Sequence, residues 1–387
     1  MDKDTRAHRD FPAAVTDSVK TPCYLISREV IKRNCEILDS VQKRTGAKIL
    51  LALKAFALPA VFPLISQFLQ GVCASGPIEA QLGREEFGRE VHTYSPAFTD
   101  EQFERTVKYS DHIVFNSINQ WQLFKGKIPA DKHVGLRVNP GHAEVEVDLY
   151  NPCIPGSRFG VNPADLEGVD LTGIDGLHFH AMCEQDSDVL VRVLESFEKR
   201  FGHLIPKMKW VNFGGGHHIT RYDYDIELLA ETVTSFRKRY NNIDVYLEPG
   251  EAVVLDAGVF VTQVLDTIVN GVPIAILDCS AETHMPDVLA MPYRPHLIGA
   301  REPGEKQFSY KLGGISCLAG DFIGTYSFDD TLTRGSRLVF TDMALYSFVK
   351  NTTFNGVELP DLAVFDKSGS VEVVRKFGYD DYKGRIS

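Results

Sequence analysis

Several reactive side chains in this sequence directly follow short apolar segments. Lys54 ends the apolar run that begins at Lys48, and the chain then turns before Pro59. A run of this length predicts a buried strand, so Lys54 is expected at its carboxyl end, where desolvation lowers the pKa of an amine towards the nucleophilic neutral form. An ordinary lysine at a strand edge fits this stretch equally well, so its function depends on what the other strand ends carry.

Three further features could serve the same chemistry. The stretch Gly214-Gly215-Gly216 follows a predicted strand, and it suits either backbone binding of a phosphate or a tight strand-to-helix turn. His180 alternates with another histidine, so one ring could be a satisfied core residue while the other lies flat over a cofactor ring. Glu248 precedes Pro-Gly, and it is either a partner for a protonated ring nitrogen or a solvated acid before a turn.

These residues are placed by a regular alternation of apolar strands and amphipathic helices. The predicted strands are the apolar run that ends at Lys54 and the segments 71–75, 91–94, 112–116, 133–139, 176–180, 210–214 and 244–248. Eight such segments indicate a (β/α)8 barrel, whose active site lies at the carboxyl ends of its strands. A doubly wound open sheet explains the count less well, and no GxGxxG turn follows the first strand. The strand ends are all polar or glycine: Lys54, Ser75, Tyr94, Asn116, Asn139, His180, Gly214 and Glu248.

The pattern changes after Glu248. Strand-like segments without long helices follow at Ala252 to Leu265, Ile274 to Asp278, Gln307 to Leu312 and Ser336 to Phe340. This pattern is typical of an antiparallel β domain. The strand around Tyr24 precedes the first barrel helix and is expected to join that domain. We therefore predict an α/β protein with a barrel over residues 27–250 and a β domain formed by residues 1–26 and 251–387.

Composition narrows the classes of function. A formal net charge of -11 over 387 residues, with no long Lys/Arg cluster, argues against nucleic-acid binding and is compatible with a small cationic substrate. No apolar run approaches the roughly 18 residues that span a bilayer, and Met1 to Asp10 has no apolar signal segment behind it. Seven scattered cysteines without a CxxC pair indicate reduced thiols and no zinc site. We expect a cytoplasmic protein without membrane contact or a bound metal.

Together, a lysine, a histidine, three glycines and a glutamate on one barrel face suggest pyridoxal 5'-phosphate as cofactor. The set resembles the alanine-racemase-fold (fold type III) decarboxylases of basic amino acids, which join a (β/α)8 barrel to a β domain and act as head-to-tail dimers. Several motifs are more narrowly similar to the carboxynorspermidine (carboxyspermidine) decarboxylases. These motifs are the segments 51–56, 177–180, 212–220, 277–280, 284–289, 291–295 and 313–321.

The resemblance implies a role for each cofactor residue. Lys54 would form the Schiff base, His180 would stack on the ring, and Glu248 would pair with the pyridine nitrogen. The three glycines would cradle the phosphate, and Tyr346 would contact it.

Other residues are implied to meet the substrate. Cys317, expected to donate a proton to the α-carbon, and Asp321, expected to hold the far amine of a polyamine, would both come from the neighbouring subunit of a homodimer. Glu184 is a second candidate for the amine contact.

The implied reaction is decarboxylation of carboxynorspermidine to norspermidine, of carboxyspermidine to spermidine, or of both. Decarboxylation of diaminopimelate, ornithine or arginine is the alternative on the same fold, and a non-catalytic pyridoxal-phosphate-binding protein is a more remote one. Ornithine and diaminopimelate decarboxylases follow their Glu-Pro-Gly with arginine, whereas this chain has Glu251. They also follow the stacking histidine with Gly-Ser, whereas this chain has Ala181-Met182. Both departures favour the carboxynorspermidine branch.

Overall fold

The computed structural model describes residues 3–387 and forms two compact units. The unit called here the barrel unit is Arg33–Val253, and the sheet unit combines the residues up to Lys32 with Val254–Ser387. The described chain begins with α1 (Lys3–Asp10), α2 (Ala13–Thr16), β1 (Cys23–Ser27) and α3 (Arg28–Thr45). Ser27 caps α3 as expected, because its Oγ accepts a hydrogen bond from the N–H of Val30 at 3.3 Å.

The segment before β1 carries more structure than its polar sequence suggests. Lys3–Asp10 is a helix, and the residues after it pack into a core of the sheet unit. Phe11, Val15 and Val19 lie there with Leu25 of β1. Tertiary burial of these apolar residues orders a segment whose first ten residues showed no apolar period. Met1 and Asp2, the first residues of that predicted polar stretch, lie outside the described residues.

The barrel unit contains a closed barrel of eight parallel strands, which confirms the predicted (β/α)8 fold. Each strand pairs in parallel with the next, and the last strand pairs with the first through Lys48 and Tyr246. The strands are β2 (Lys48–Ala52), β3 (Gly71–Ala74), β4 (Glu90–Ser95), β5 (His112–Phe115), β6 (His133–Arg137), β7 (Gly176–His178), β8 (Trp210–Asn212) and β9 (Asp244–Leu247).

Helices connect most of these strands. They are α4 (Phe62–Ile65), α5 (Pro77–Leu82), α6 (Asp100–Tyr109), α7 (Ile118–Phe124), α8 (Ser187–Phe201) and α9 (Ile226–Arg239), and α10 (Gly250–Val254) follows the last strand. A π-helical turn, Gly83–Phe87, continues α5. The connection from β6 to β7 holds only the 3-10 turns Asp148–Tyr150 and Pro163–Leu166. The regular strand–helix alternation is therefore interrupted once.

The sheet unit is built on strands β10 (Gly258–Asn270), β11 (Val272–Leu277), β12 (Phe308–Gly313), β13 (Phe322–Phe328), β14 (Arg337–Thr341), β15 (Asp361–Phe365) and β16 (Val371–Arg375). Besides α1 and α2, its helices are α11 (Ala281–His284), α12 (Asp287–Ala290) and α13 (Tyr379–Ile386). The strand order is β13-β12-β11-β10-β1-β15-β16, and β14 pairs with β10. β1 joins this sheet, as predicted.

Two details of the predicted β domain were wrong. The sheet is mixed, because β1 pairs with β15 and β11 pairs with β12 in parallel. Pairing of strands distant in the chain sets these directions, and no local pattern reports it. In addition, Ala252–Val254 belong to α10, and the long strand begins only at Gly258. Among residues 3–387, no helix has the length and apolar character needed to cross a membrane.

Candidate active site

Lys54 lies two residues beyond the end of β2, in the turn that leaves the barrel strand. The apolar residues before it are fully buried, as expected of a barrel strand. The Lys54 side chain itself is exposed, so the predicted desolvation by its own chain is wrong. The reason is that the strand ends at Ala52 and the turn carries the lysine past the barrel's packed interior. Lys54 is thus an accessible amine at the carboxyl end of the strands.

His180 lies two residues beyond β7, and its ring is held by the loop that follows β8. The N–H of Gly215 donates to Nδ1 of His180 at 2.8 Å. Burial, with the positive charges of Lys54 and Arg137, holds the pKa of His180 well below its usual value. His180 is therefore a neutral ring whose Nδ1 is an acceptor and whose remaining proton is on Nε2. Arg137 donates to the carbonyl oxygen of His180 at 3.3 Å and further fixes this turn.

The triple glycine packs against the loops on either side of it. Gly214 has φ +72°, and a Cβ there would overlap the carbonyl oxygen of Phe179. Gly216 has φ +89°, and a Cβ there would overlap the backbone of Met182. Only glycine fits these two positions, for conformational and steric reasons together.

The same loop has fewer free donors than the phosphate-cradle prediction assumed. The N–H of Gly214 donates to Oδ1 of Asn212 at 2.8 Å, and the N–H of Gly215 is occupied by His180. Of the three glycines, Gly216 alone has an N–H without a hydrogen-bond partner in the described part of the chain. A phosphate at this loop would have to bind through Gly216 and groups outside the triple glycine.

Glu248 follows β9 directly and is largely buried, with a side chain 13% exposed. Its Oε1 accepts a hydrogen bond from Nδ2 of Asn212 at 2.7 Å, and its Oε2 lies 3.7 Å from Nε2 of His178. Burial raises the pKa of Glu248, but His178 and the hydrogen bond from Asn212 outweigh it, and the pKa is lowered overall. Glu248 is thus a carboxylate that stays ionised in a nearly dry site.

Glu184 and Glu251 form an acidic cluster with His218. Nε2 of His218 lies 3.1 Å from Oε2 of Glu251, and one ligand-type atom from each of the three residues falls within 4.8 Å of the others. Glu184 is exposed and has φ +53°, an uncommon conformation for a residue other than glycine. Glu251 is therefore paired with a histidine, and the cluster offers negative charge to a cation.

The remaining predicted site residues belong to the sheet unit. Cys317 is an exposed free thiol in the loop after β12, and its N–H donates to Oδ1 of Asn355 at 2.7 Å. Tyr346 lies in the loop after β14 with φ +45°. Cys317 and Tyr346 therefore belong to a different compact unit from Lys54.

Asp321 does not match its predicted role as a substrate contact. It is only 4% exposed, and its Oδ1 accepts hydrogen bonds from the N–H groups of Ala281 at 2.7 Å and Glu282 at 3.4 Å. Its Oδ2 accepts from the N–H of Ser316 at 3.1 Å. The carboxylate thus anchors the first turn of α11 and the loop before Cys317, which leaves it poorly placed to meet an amine from solution.

Two residues of the site had no predicted role. Asn212 bridges Glu248 and Gly214, and Arg137 packs its guanidinium over the rings of Tyr94 and Phe159 at 4.6 and 4.4 Å. Asn212 lies two residues before Gly214, so the two-residue period of a strand would have placed its side chain on the inner face. Its hydrogen-bond partners depend on pairing between strands, which no single segment reveals.

The other polar strand ends have mainly structural contacts. The Tyr94 hydroxyl donates to Oδ1 of Asn116 at 2.7 Å, and Nδ2 of Asn116 donates to the carbonyl oxygen of Arg158 at 2.8 Å. Asn139 accepts from the N–H of Gly141 at 2.8 Å. These contacts hold the long connection between β6 and β7. Polar strand ends therefore support the active-site loops as well as the chemistry.

The side chains at this end of the barrel fit pyridoxal phosphate. The cofactor needs an amine for its aldehyde, a flat partner for its ring and an anion for its ring nitrogen. Lys54 is an accessible amine, His180 is a neutral planar ring, and Glu248 is an ionised carboxylate. Lys54, His180 and Glu248 follow β2, β7 and β9 of one closed parallel barrel, so the three groups lie at the same end of it.

Comparison with known proteins agrees with this chemistry. The family model described as "Pyridoxal-dependent decarboxylase, C-terminal sheet domain" matches residues 23–344. The chain is 44% identical over 380 residues to the carboxynorspermidine/carboxyspermidine decarboxylase of Campylobacter jejuni, covering 95% of this chain and 99% of the relative. It is 41% identical to the carboxyaminopropylagmatine decarboxylase of Synechocystis, covering 95% and 96%.

Solved structures show the same relationship. The crystal structure of Campylobacter jejuni carboxynorspermidine decarboxylase with norspermidine superposes with a TM-score of 0.89 at 43% identity, over 95% of this chain and all of that one. Diaminopimelate decarboxylase from Helicobacter pylori, at 16% identity and a TM-score of 0.82, shares the fold over 96% of this chain and 98% of its own. The chain therefore belongs to the pyridoxal-dependent decarboxylases, within the group that contains the carboxynorspermidine/carboxyspermidine decarboxylases.

Proposed function

We propose that this protein decarboxylates carboxynorspermidine, carboxyspermidine or both, releasing norspermidine or spermidine. The observation that carries the proposal is the 44% identity, over nearly the whole of both chains, to a relative named for these two substrates. The acidic cluster of Glu184 and Glu251 supports it, because these products and substrates are long cations that carboxylates attract.

Each proposed role follows from the position of the residue. Pyridoxal phosphate, when bound, would supply an acceptor for the electron pair left on the α-carbon as the carboxylate leaves as carbon dioxide. Lys54 would hold the cofactor through its amine, and His180 would pack against one face of the cofactor ring. Glu248 would hold a proton at the ring nitrogen, since its own lowered pKa keeps it an anion.

Phosphate binding is proposed to involve Gly214, Gly215 and Gly216 as a shaped loop, with Gly216 supplying an N–H, and to involve Tyr346. The N–H groups of Gly214 and Gly215 instead set the loop and orient His180. The donors at this loop are thus divided between cofactor binding and positioning.

We place the far amine of the substrate at Glu184, with Glu251 behind it. Asp321 is the less suitable contact, because its carboxylate is buried and bonded to backbone N–H groups. Cys317, an exposed thiol, is proposed as the proton donor to the α-carbon after carbon dioxide leaves.

A homodimer is part of the proposal. Cys317 and Tyr346 lie in the sheet unit and Lys54 in the barrel unit, and the resemblance to dimeric relatives implies that Cys317 serves the site of a second copy. Cytoplasmic localisation remains a prediction of the sequence.

A second candidate substrate has a specific observation in its favour. The Synechocystis relative, 41% identical, is named for carboxyaminopropylagmatine, which ends in a guanidinium group where carboxynorspermidine ends in an amine. A guanidinium binds a carboxylate through two parallel hydrogen bonds, whereas an ammonium group binds as a compact point charge. The acidic cluster could serve either. Diaminopimelate decarboxylases are more distant, at 25% identity or below among the relatives compared.

The test is side-by-side measurement of carbon dioxide release. Carboxynorspermidine, carboxyspermidine and carboxyaminopropylagmatine are compared with diaminopimelate, ornithine and arginine by kcat/KM. We expect the first two to lead. The preference between them is expected to be modest, since one methylene is worth only about 10- to 200-fold in an apolar slot. A higher kcat/KM for diaminopimelate, ornithine or arginine would refute the proposed substrate class.

A matched pair of variants tests the site. Lys54→Ala should abolish turnover and the visible absorption of the bound cofactor. Lys43→Ala removes a lysine of α3 whose side chain is 76% exposed, and it should leave both unchanged. Retention of turnover and absorption by Lys54→Ala would remove this lysine from the mechanism.

A further inference from the structure

His178 is a buried histidine whose ring has no hydrogen-bond partner in the described part of the chain. It is only 3% exposed, and both Nδ1 and Nε2 lack a partner. A core histidine normally satisfies at least one ring nitrogen, because an unpaired buried polar group is costly. Oε2 of Glu248 lies 3.7 Å from Nε2 of this ring. This ring is therefore not the satisfied core histidine that the alternating sequence suggested.

The strand register explains why His178 faces Glu248. His178 on β7 lies opposite Asn212 on β8, and Asn212 lies opposite Tyr246 on β9. Glu248 follows Tyr246 by two residues, so its side chain projects to the same inner face. His178, Asn212 and Glu248 therefore form a row of three inward-facing side chains across β7, β8 and the end of β9.

The two carboxylate oxygens of Glu248 differ in their hydrogen bonding. Oε1 accepts a hydrogen bond of 2.7 Å from Asn212. Oε2 faces Nε2 of His178 across 3.7 Å, which is under 1 Å longer than a typical N–H···O bond. A small rotation of either side chain would close this gap.

The protonation state of His178 allows its ring to donate a hydrogen bond. Burial lowers the pKa of His178 to about 4, so the ring is neutral at pH 7 and carries one N–H. With the proton on Nε2, the ring can donate to Oε2 of Glu248, and only the acceptor Nδ1 remains unpaired. With the proton on Nδ1, two lone pairs would face each other across the gap.

We propose that His178 is a positioning residue for the cofactor: its Nε2–H donates to Oε2 of Glu248 and, with Asn212, keeps that carboxylate ionised and aimed at the ring nitrogen. This inference rests on the proposed role of Glu248. Without the second donor, the buried carboxylate would compete for the proton that belongs on the ring nitrogen, and the cofactor would accept electrons less well. The consequence is a loss in kcat rather than in substrate binding.

Three substitutions separate this role from simple packing. His178→Gln places an amide nitrogen close to the position of Nε2, and His178→Asn places one close to Nδ1. His178→Leu fills similar space without a donor. Each variant is loaded with pyridoxal phosphate labelled with 15N at the ring nitrogen, whose NMR shift distinguishes a protonated from an unprotonated ring, and kcat and KM are measured on the same samples.

We expect His178→Leu and His178→Asn to move the 15N signal towards the unprotonated position. Their kcat should fall about 10- to 100-fold, as for the loss of one hydrogen bond to a charged group, while KM changes little. His178→Gln should keep the signal and most of kcat. Identical signals in His178→Gln and His178→Asn would overturn the proposal, even if His178→Leu does not fold.

A further variant separates this inference from the proposed function. Glu248→Gln should shift the 15N signal whether or not His178 matters. If Glu248→Gln leaves the signal unchanged, the assigned role of Glu248 fails, and the inference about His178 fails with it. If Glu248→Gln shifts the signal and the His178 variants do not, the inference about His178 alone is refuted.

Discussion

Replacing Asp321 distinguishes an anchoring role from a substrate contact. The carboxylate accepts two well-formed backbone hydrogen bonds, from Ala281 at 2.7 Å and from Ser316 at 3.1 Å, and a longer one from Glu282 at 3.4 Å. Asp321→Ala leaves these N–H groups without an acceptor. At about 2 kcal/mol for each of the two short bonds to a charged group, the free energy of unfolding should fall by about 4 kcal/mol.

Asp321→Asn should have a smaller effect. It keeps one acceptor oxygen but turns an amide N–H2 towards another N–H group, so we expect a loss of about 2 kcal/mol or more. Asp330→Ala, which removes an exposed carboxylate from the same unit, is the control and should change the free energy by less than about 0.5 kcal/mol.

The assay is urea unfolding at one protein concentration, without cofactor and then with saturating cofactor, because both ligand and assembly shift the apparent stability. The specificity constant is measured on the same variants. The anchoring role predicts lower stability in both conditions. Wild-type stability in Asp321→Ala, together with a KM raised tenfold or more for the polyamine substrate, would instead support direct contact with the substrate.

Three further predictions concern assembly, pH and the glycine loop. Mixed dimers of Lys54→Ala and Cys317→Ala, made by co-expression, should recover about a quarter of wild-type activity if each site is shared between subunits; no gain over either parent would contradict shared sites. Burial raises the pKa of Glu90, but hydrogen bonds and nearby cations outweigh it and lower the pKa from 4.5 to about 2. Its stabilising effect should therefore be full above pH 4.5 and disappear as the pH falls towards 2, a trend measured by thermal unfolding that Glu90→Gln should lack. Gly216→Ala should weaken cofactor binding in a fluorescence titration, because a Cβ would overlap the neighbouring loop, whereas Gly126→Ala meets no atom within 4 Å and should not.

The barrel could be predicted because its evidence is local. Each strand is a short apolar segment between helical periods, and the carboxyl ends of parallel strands must meet at one face. Lys54, His180 and Glu248 were proposed as site residues by that rule, since a residue's place relative to its own strand end is visible in the sequence. The β domain was harder, because one of its parallel pairs, β1 with β15, joins segments more than 300 residues apart.

The sequence by itself determined the fold class and the set of groups that suit pyridoxal phosphate, because both depend on residue type and spacing along one strand. Only the tertiary structure decided how those groups are used. It brought Asn212 to one carboxylate oxygen of Glu248 and His178 near the other, engaged the N–H groups of Gly214 and Gly215 in hydrogen bonds within the protein, and buried Asp321 against α11. These outcomes depend on the register between strands and on the packing of loops that are distant in the sequence. No local sequence pattern reveals the register or the packing.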